Sequence, residues 1–118
     1  MAVRPTAESS QFALQDVINQ RHHRLVLSGE LDMRAAATLE ACLHHVCASG
    51  TTSLVMDLSQ LTFMDSTGVR MTLLARQLCA QHKCEFLLIQ GPSQIQLVFE
   101  VSGLLNQLPF QRQDSPLK

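Results

Sequence analysis

Asp65, Ser66, Thr67 and Gly68 stand in a row where an apolar stretch gives way to helix-like sequence. A small hydroxyl side chain at a helix start meets unpaired backbone N–H groups and the positive end of the helix dipole. Its oxygen can accept from the first turn, which makes Ser66 or Thr67 a candidate N-cap. The same hydroxyl can instead be displayed as a phosphoryl acceptor, because a helix N-terminus suits an anion. The residues by themselves favour the cap and leave the second use open.

Other groups that could do chemistry are weaker. Asp57 and Asp65 can be imagined as paired carboxylates, but Asp57 more simply ends a strand and Asp65 orders a turn. Cys42, Cys47, Cys79 and Cys84 lie in apolar segments and form no Cys-x-x-Cys pair. They read as reduced, buried small hydrophobes. Cys79, His82 and Cys84 lack a fourth ligand or a repeated spacing, so no metal site is expected. His22–His23 fits a turn, and His44–His45 the wet side of a helix. The chain has no GxxxxGK[ST] loop, no Gly-rich dinucleotide fingerprint and no Gly-x-Ser-x-Gly elbow. No cofactor is implied, and an autonomous enzyme is the last choice among the functions considered.

The elements that must position the Asp65–Gly68 turn follow from periodicity. Ser53–Leu58, SLVMDL, is a short apolar run of the kind that forms a strand buried on both faces. Ser59–Gln60 interrupts it, and Leu61, Phe63 and Met64 hold the next segment against a core. A helix is predicted from Thr67 to Gln81, with Met71, Leu74, Ala75 and Leu78 on one stripe. Val69 and Leu73 widen that apolar surface, through deeper burial or a partner-facing patch. Upstream, Phe12, Leu14 and Ile18 suggest a strand. Asn19–Arg24 turns, and Leu25–Leu27 pairs back as a hairpin. A helix from Arg34 to Ser49 is capped by Asp32 and Gly50, with Ala36, Leu39, Leu43, Val46 and Cys47 inward. Glu85–Ile89 is a strand, a short helix carries Ile95, Val98 and Phe99, and Leu104–Phe110 holds a last edge segment. Strands alternating with helices predict right-handed crossovers and a mainly parallel sheet, made mixed by the hairpin. The Asp65–Gly68 turn then falls on the rim where such sheets build their sites.

With 118 residues the chain supports one domain and one core. Five Phe and no Trp or Tyr leave that core to aliphatic side chains. Nine basic against ten acidic residues give a net charge of −1, no footprint for nucleic acid or an anionic membrane. No apolar run reaches spanning length, and MAVRPTAESSQ lacks a signal-peptide core, so a cytoplasmic protein is expected. The expected organisation is a flexible N-terminus at 1–11, an α/β domain at 12–110 with a four- or five-stranded mixed sheet and helices packed on it, and a flexible tail at 111–118.

LSGELD (Leu27–Asp32), DLSQLTFMDSTG (Asp57–Gly68) and VFEVSGLL (Val98–Leu105) resemble the STAS domain, and more narrowly the bacterial anti-sigma factor antagonists. The resemblance spans about Phe12 to Phe110, and the MDSTG turn is its most specific part. It implies that a serine kinase, itself the anti-sigma factor, phosphorylates Ser66, with Thr67 the runner-up. The unmodified antagonist binds that kinase and frees a sigma factor; a phosphatase restores the modified form. Gly29, Glu30 and Asp32, together with Met64, Asp65, Ser66, Thr67, Gly68 and Arg70, become the expected partner-binding residues. Val69-Arg70 departs from the Leu-Gly that often follows the turn and puts a long cation beside the site. The partners expected are the kinase and the phosphatase, with no nucleic acid or membrane, for a monomer or weak dimer. The alternatives are a STAS interaction module of another assembly, in transport or signalling, and a small-ligand sensor.

Overall fold

β-branched and leucine-rich stretches separated by amphipathic segments produce alternating strands and helices in the computed structural model, which describes residues 2–8 and 11–111. The order is β1 (Ala2–Glu8), β2 (Phe12–Asn19), β3 (His22–Leu31), α1 (Met33–Ala48), β4 (Ser53–Met64), α2 (Ser66–Gln81), β5 (Glu85–Ile89), α3 (Ser93–Val101) and β6 (Phe110–Gln111). The sheet order is β1-β2-β3-β4-β5-β6. β1, β2 and β3 pair antiparallel, whereas β3 through β6 pair parallel. Spatial order follows chain order, so right-handed crossovers place α1, α2 and α3 on one face. The helices pack side by side there, α1 on α2 and α2 on α3.

The core lies between helices and sheet. Leu14, Leu25, Leu27, Leu54, Met56 and Leu88 point into it from four strands and are fully buried. Leu39 and Leu43 of α1, Met71 and Ala75 of α2, and Ile95 and Phe99 of α3 meet them. The α/β class and the mixed sheet agree with expectation, and β4 is interior, between β3 and β5.

Several details differ. Among the described residues the sheet has six strands, where four or five were expected. The added one, β1, falls in the stretch expected to be frayed. Its composition is polar because an edge strand needs only one backbone partner, and Pro5 is tolerated there beside a register shift. The 112–118 part of the expected tail lies outside the described residues. The first turn is only Gln20–Arg21, and His22 and His23 already belong to β3. His23 Nδ1 lies 2.9 Å from the fully buried carboxylate of Asp16. In α1 Ala35, not Ala36, is the buried alanine, and Ser49 is the C-cap with Gly50 following at φ 86°. In α2 Leu74 is half-buried, whereas Val69 is 7% exposed and packs into the core.

Candidate functional site

β4 does not end at Asp57 but runs to Met64, because two irregularities let it turn without breaking. Its register against β3 shifts between Val26 and Ser28 and again between Gly29 and Glu30, with an extra β4 residue taken up each time. Leu58, Leu61 and Met64 are three apart yet all buried, which plain alternation forbids and these bulges allow. Asp57 stabilises the first bulge, Oδ1 accepting from the Ser59 N–H at 2.9 Å. Its other oxygen faces Arg24 Nε at 3.9 Å. Asp57 is thereby a structural carboxylate at the first bulge. Phe63, expected against the core, is 47% exposed because the second bulge turns it outward.

The strand ends arrive together. Leu31 and Met64 are register partners, and the Asp65 N–H donates to the Leu31 carbonyl at 3.3 Å. Each strand is followed by a helix capped in the same way. Asp32 accepts from the Arg34 N–H at 2.9 Å, and Asp65 accepts from the Thr67 N–H at 2.8 Å. Two positive helix ends thus open on one rim. The cap of α2 is Asp65, and not Ser66 or Thr67 as the residues first suggested; a carboxylate one place earlier takes the orphan N–H.

That displacement leaves Ser66 exposed as the first residue of α2, while Thr67 is 4% exposed. Arg70, one turn on, is exposed and makes no ion pair among the described residues. Ser66 and Arg70 line the same groove of about 610 Å³, whose floor includes Val69 and Leu73. Gly68 is buried under Met64: a Cβ there would run into the Met64 thioether, so glycine is what lets α2 start so close to β4. Thr72 Oγ1 donates to the Gly68 carbonyl at 2.8 Å and fixes that turn.

Gly29–Asp32, the end of β3 and the cap of α1, lies beside Met64–Asp65 through the β3–β4 pairing. Gly29 has φ 82°, and the Glu30 N–H donates to the Gln11 carbonyl at 2.6 Å. Arg34 Nη2 donates to Asp32 Oδ2 at 2.7 Å and to Glu30 Oε1 at 3.3 Å. The Arg34 hydrogen bond holds the Asp32 carboxyl below its ordinary value, and Asp32 in turn raises Arg34. Expected site residues from both stretches therefore share one rim. Met33, at 78% exposure, and Phe63 lie beside them and were missed by the sequence reading. Met33 directly follows the Asp32 cap, where a helix start faces solvent, and that position was the available signal. No group of three or more His, Cys, Asp or Glu side chains among the described residues gathers to hold a metal ion.

A mixed sheet with helices on one face and a capped helix start presenting a spare hydroxyl defines a small α/β domain with a rim-built site. The chain belongs to the STAS family: the family model described as "Mlab, STAS domain" matches residues 14–109. It is 32% identical over 83 residues to BtrV of Bordetella bronchiseptica, whose name gives it provisionally as an anti-sigma factor antagonist, covering 70% of this chain and 72% of that one. Its fold is similar to unphosphorylated SpoIIAA, an anti-sigma factor antagonist, with TM-score 0.76 and 25% identity over 87% of this chain and 90% of that one. It is also similar to the Bacillus cell fate determinant SpoIIAA in its phosphorylated form, with TM-score 0.70 and 24% identity over 87% of this chain and 93% of that one. No helix among the described residues is long and apolar enough to cross a membrane.

Proposed function

We propose that this chain is an anti-sigma factor antagonist: it binds an anti-sigma factor that is also a serine kinase, releases a sigma factor, and is switched off by phosphorylation of Ser66. The observation that carries the reading is the division of labour at the α2 start. Asp65 caps the helix, so the exposed Ser66 hydroxyl is not needed for folding. Thr67, the runner-up acceptor, is buried and poorly placed for a kinase. The relatives named as antagonists, one of them solved in a phosphorylated form, support the same reading.

The partner surface in this reading is the rim made by Gly29, Glu30 and Asp32 on one side and Met64–Gly68 and Arg70 on the other. Met33 and Phe63 supply exposed apolar contact beside it. Arg70 lies one helical turn after Ser66, within the spacing at which helix side chains meet, and can offset phosphoserine charge within this chain. A phosphatase returns the modified form to its binding state. The other reading, a STAS interaction module of a different assembly, uses the same rim without the switch.

The test is phosphopeptide mapping after incubation with ATP and the anti-sigma factor kinase of the native host. A single phosphate on Ser66, lost in Ser66→Ala with binding retained, supports the proposal. Full phosphorylation of Ser66→Ala, or a pull-down that recovers transporter subunits and no kinase, overturns it.

A further inference from the structure

Cys47, in the last turn of α1, and Cys79, in the last turn of α2, bring their Sγ atoms to 3.9 Å where the two helices pack together. Cys84 follows at the head of β5, its backbone N–H donating to the Cys79 carbonyl at 2.8 Å. We infer that Cys47 and Cys79 form an oxidisable pair, closing under peroxide a disulfide that ties α1 to α2. This does not rest on the role proposed for Ser66.

The geometry is nearly sufficient. A disulfide needs its sulfurs about 2.05 Å apart, so the present gap must close by about 1.9 Å. The two thiols are not equivalent. The hydrogen bond with Cys79 holds Cys47 below the ordinary thiol value although burial opposes it. The same hydrogen bond and burial push Cys79 up. Cys47 is therefore the thiol that attacks the oxidant first.

Both sulfurs are buried, at 1% exposure, so an oxidant must be let in. The way in is at the helix ends. Ala48, Ser49 and Gly50 after Cys47, and Ala80 to Lys83 after Cys79, are exposed, and last turns open locally at small cost. In the opened state the Cys47 thiolate attacks one peroxide oxygen, the O–O bond breaks, and Cys47 becomes a sulfenic acid with loss of hydroxide. The Cys79 sulfur then attacks Cys47 Sγ, the S–O bond breaks, and water leaves. In total two thiols and one hydrogen peroxide give one disulfide and two waters. The link lies thirteen residues along α2 from Ser66, about 20 Å at the helical rise, so it locks the helix layer and leaves the rim unchanged.

The experiment treats the full chain with hydrogen peroxide and follows intact mass, a non-reducing digest and the melting temperature. The expected result is a loss of about 2 Da and a cross-linked peptide containing Cys47 and Cys79. The midpoint should rise by about 5 °C or more, as closing a long loop restricts the unfolded chain, and dithiothreitol should reverse it. Cys47→Ser and Cys79→Ser should each abolish the link, whereas Cys84→Ser keeps it; the wild-type digest stands even where a variant fails to fold. Added oxygen without a cross-link, a Cys79–Cys84 link, covalent dimers, or thiols unchanged after prolonged exposure overturns the inference.

Discussion

At the rim Asp65 does the folding work that Ser66 or Thr67 was first credited with, while Asp32 caps α1 as expected. Sequence alone favoured Ser66 or Thr67 as the α2 cap because serine and threonine are strong caps. The choice among three adjacent candidates depends on which backbone is extended, and that is Asp65 at φ −107° and ψ −164°. Asp65→Ala should destabilise the domain by about 1 kcal/mol, lowering the midpoint by roughly 4–8 °C, and Asp65→Ser should recover most of it. Ser66→Ala should lie within about 0.5 kcal/mol of wild type in thermal melts, as expected for a surface side chain off the cap. Asp32 makes a pH prediction. Its carboxyl is held low by Arg34, so the folded state binds its proton less readily than the unfolded one. The stabilisation is fully present above the unfolded value, about 3.9, and is lost as pH falls through the lower folded value. Asn also caps well, so Asp32→Asn isolates the charge. The midpoint gap between wild type and Asp32→Asn should be open at neutral pH and close as pH falls below the ordinary carboxylate value.

At the level of elements, the buried centre of β4 was legible because SLVMDL carries its own signal, and α1, α2, β5 and α3 were legible from helical or apolar periodicity. β1 was not, since an edge strand has little compositional signature. The bulges of β4 were not either. They arise from pairing with β3, more than thirty residues away in the chain, and periodicity within β4 reads only as an interruption at Ser59–Gln60. The exposure of Phe63 was lost for the same reason. The Gly29–Asp32 turn was picked out by resemblance, and its physical basis emerges only with the partner strand in place. Gly29 takes a left-handed backbone, and a Cβ would run into the Gln11 carbonyl that receives the Glu30 N–H. Gly29→Ala should therefore cost about 2–4 kcal/mol, the left-handed penalty plus overpacking, and should blur the rim as well. Urea unfolding measures the first part, and amide shifts of Glu30 to Asp32 the second. A loss below about 1 kcal/mol means the turn can relax.

At the scale of the whole molecule, folding and the proposed switch are kept apart. The core is a layer between three helices and a sheet, whereas the exposed Ser66 side chain stands at a rim above it and is not the cap of α2. A negative charge at Ser66 meets the N-terminal dipole of α2, which favours it by about 0.3–1 kcal/mol, while Asp65 next door opposes it. The two effects nearly cancel, so Ser66→Asp should shift the thermal midpoint by no more than about 2 °C. A phosphoryl group brings about −1.5 to −2 charges and needs more room than aspartate. A partner surface shaped for a neutral hydroxyl must then desolvate an anion next to Asp65. A loss of about 3 kcal/mol lowers affinity roughly a hundredfold, enough to dissociate a complex. Calorimetry with the kinase partner should show weakened binding for Ser66→Asp and stronger weakening for the phosphorylated chain, with hydrogen exchange in β3, β4 and β5 unchanged in both. If the midpoint falls by more than about 5 °C, or exchange quickens across those strands, the modification acts by loosening the fold, and blocked docking is the wrong account of the switch.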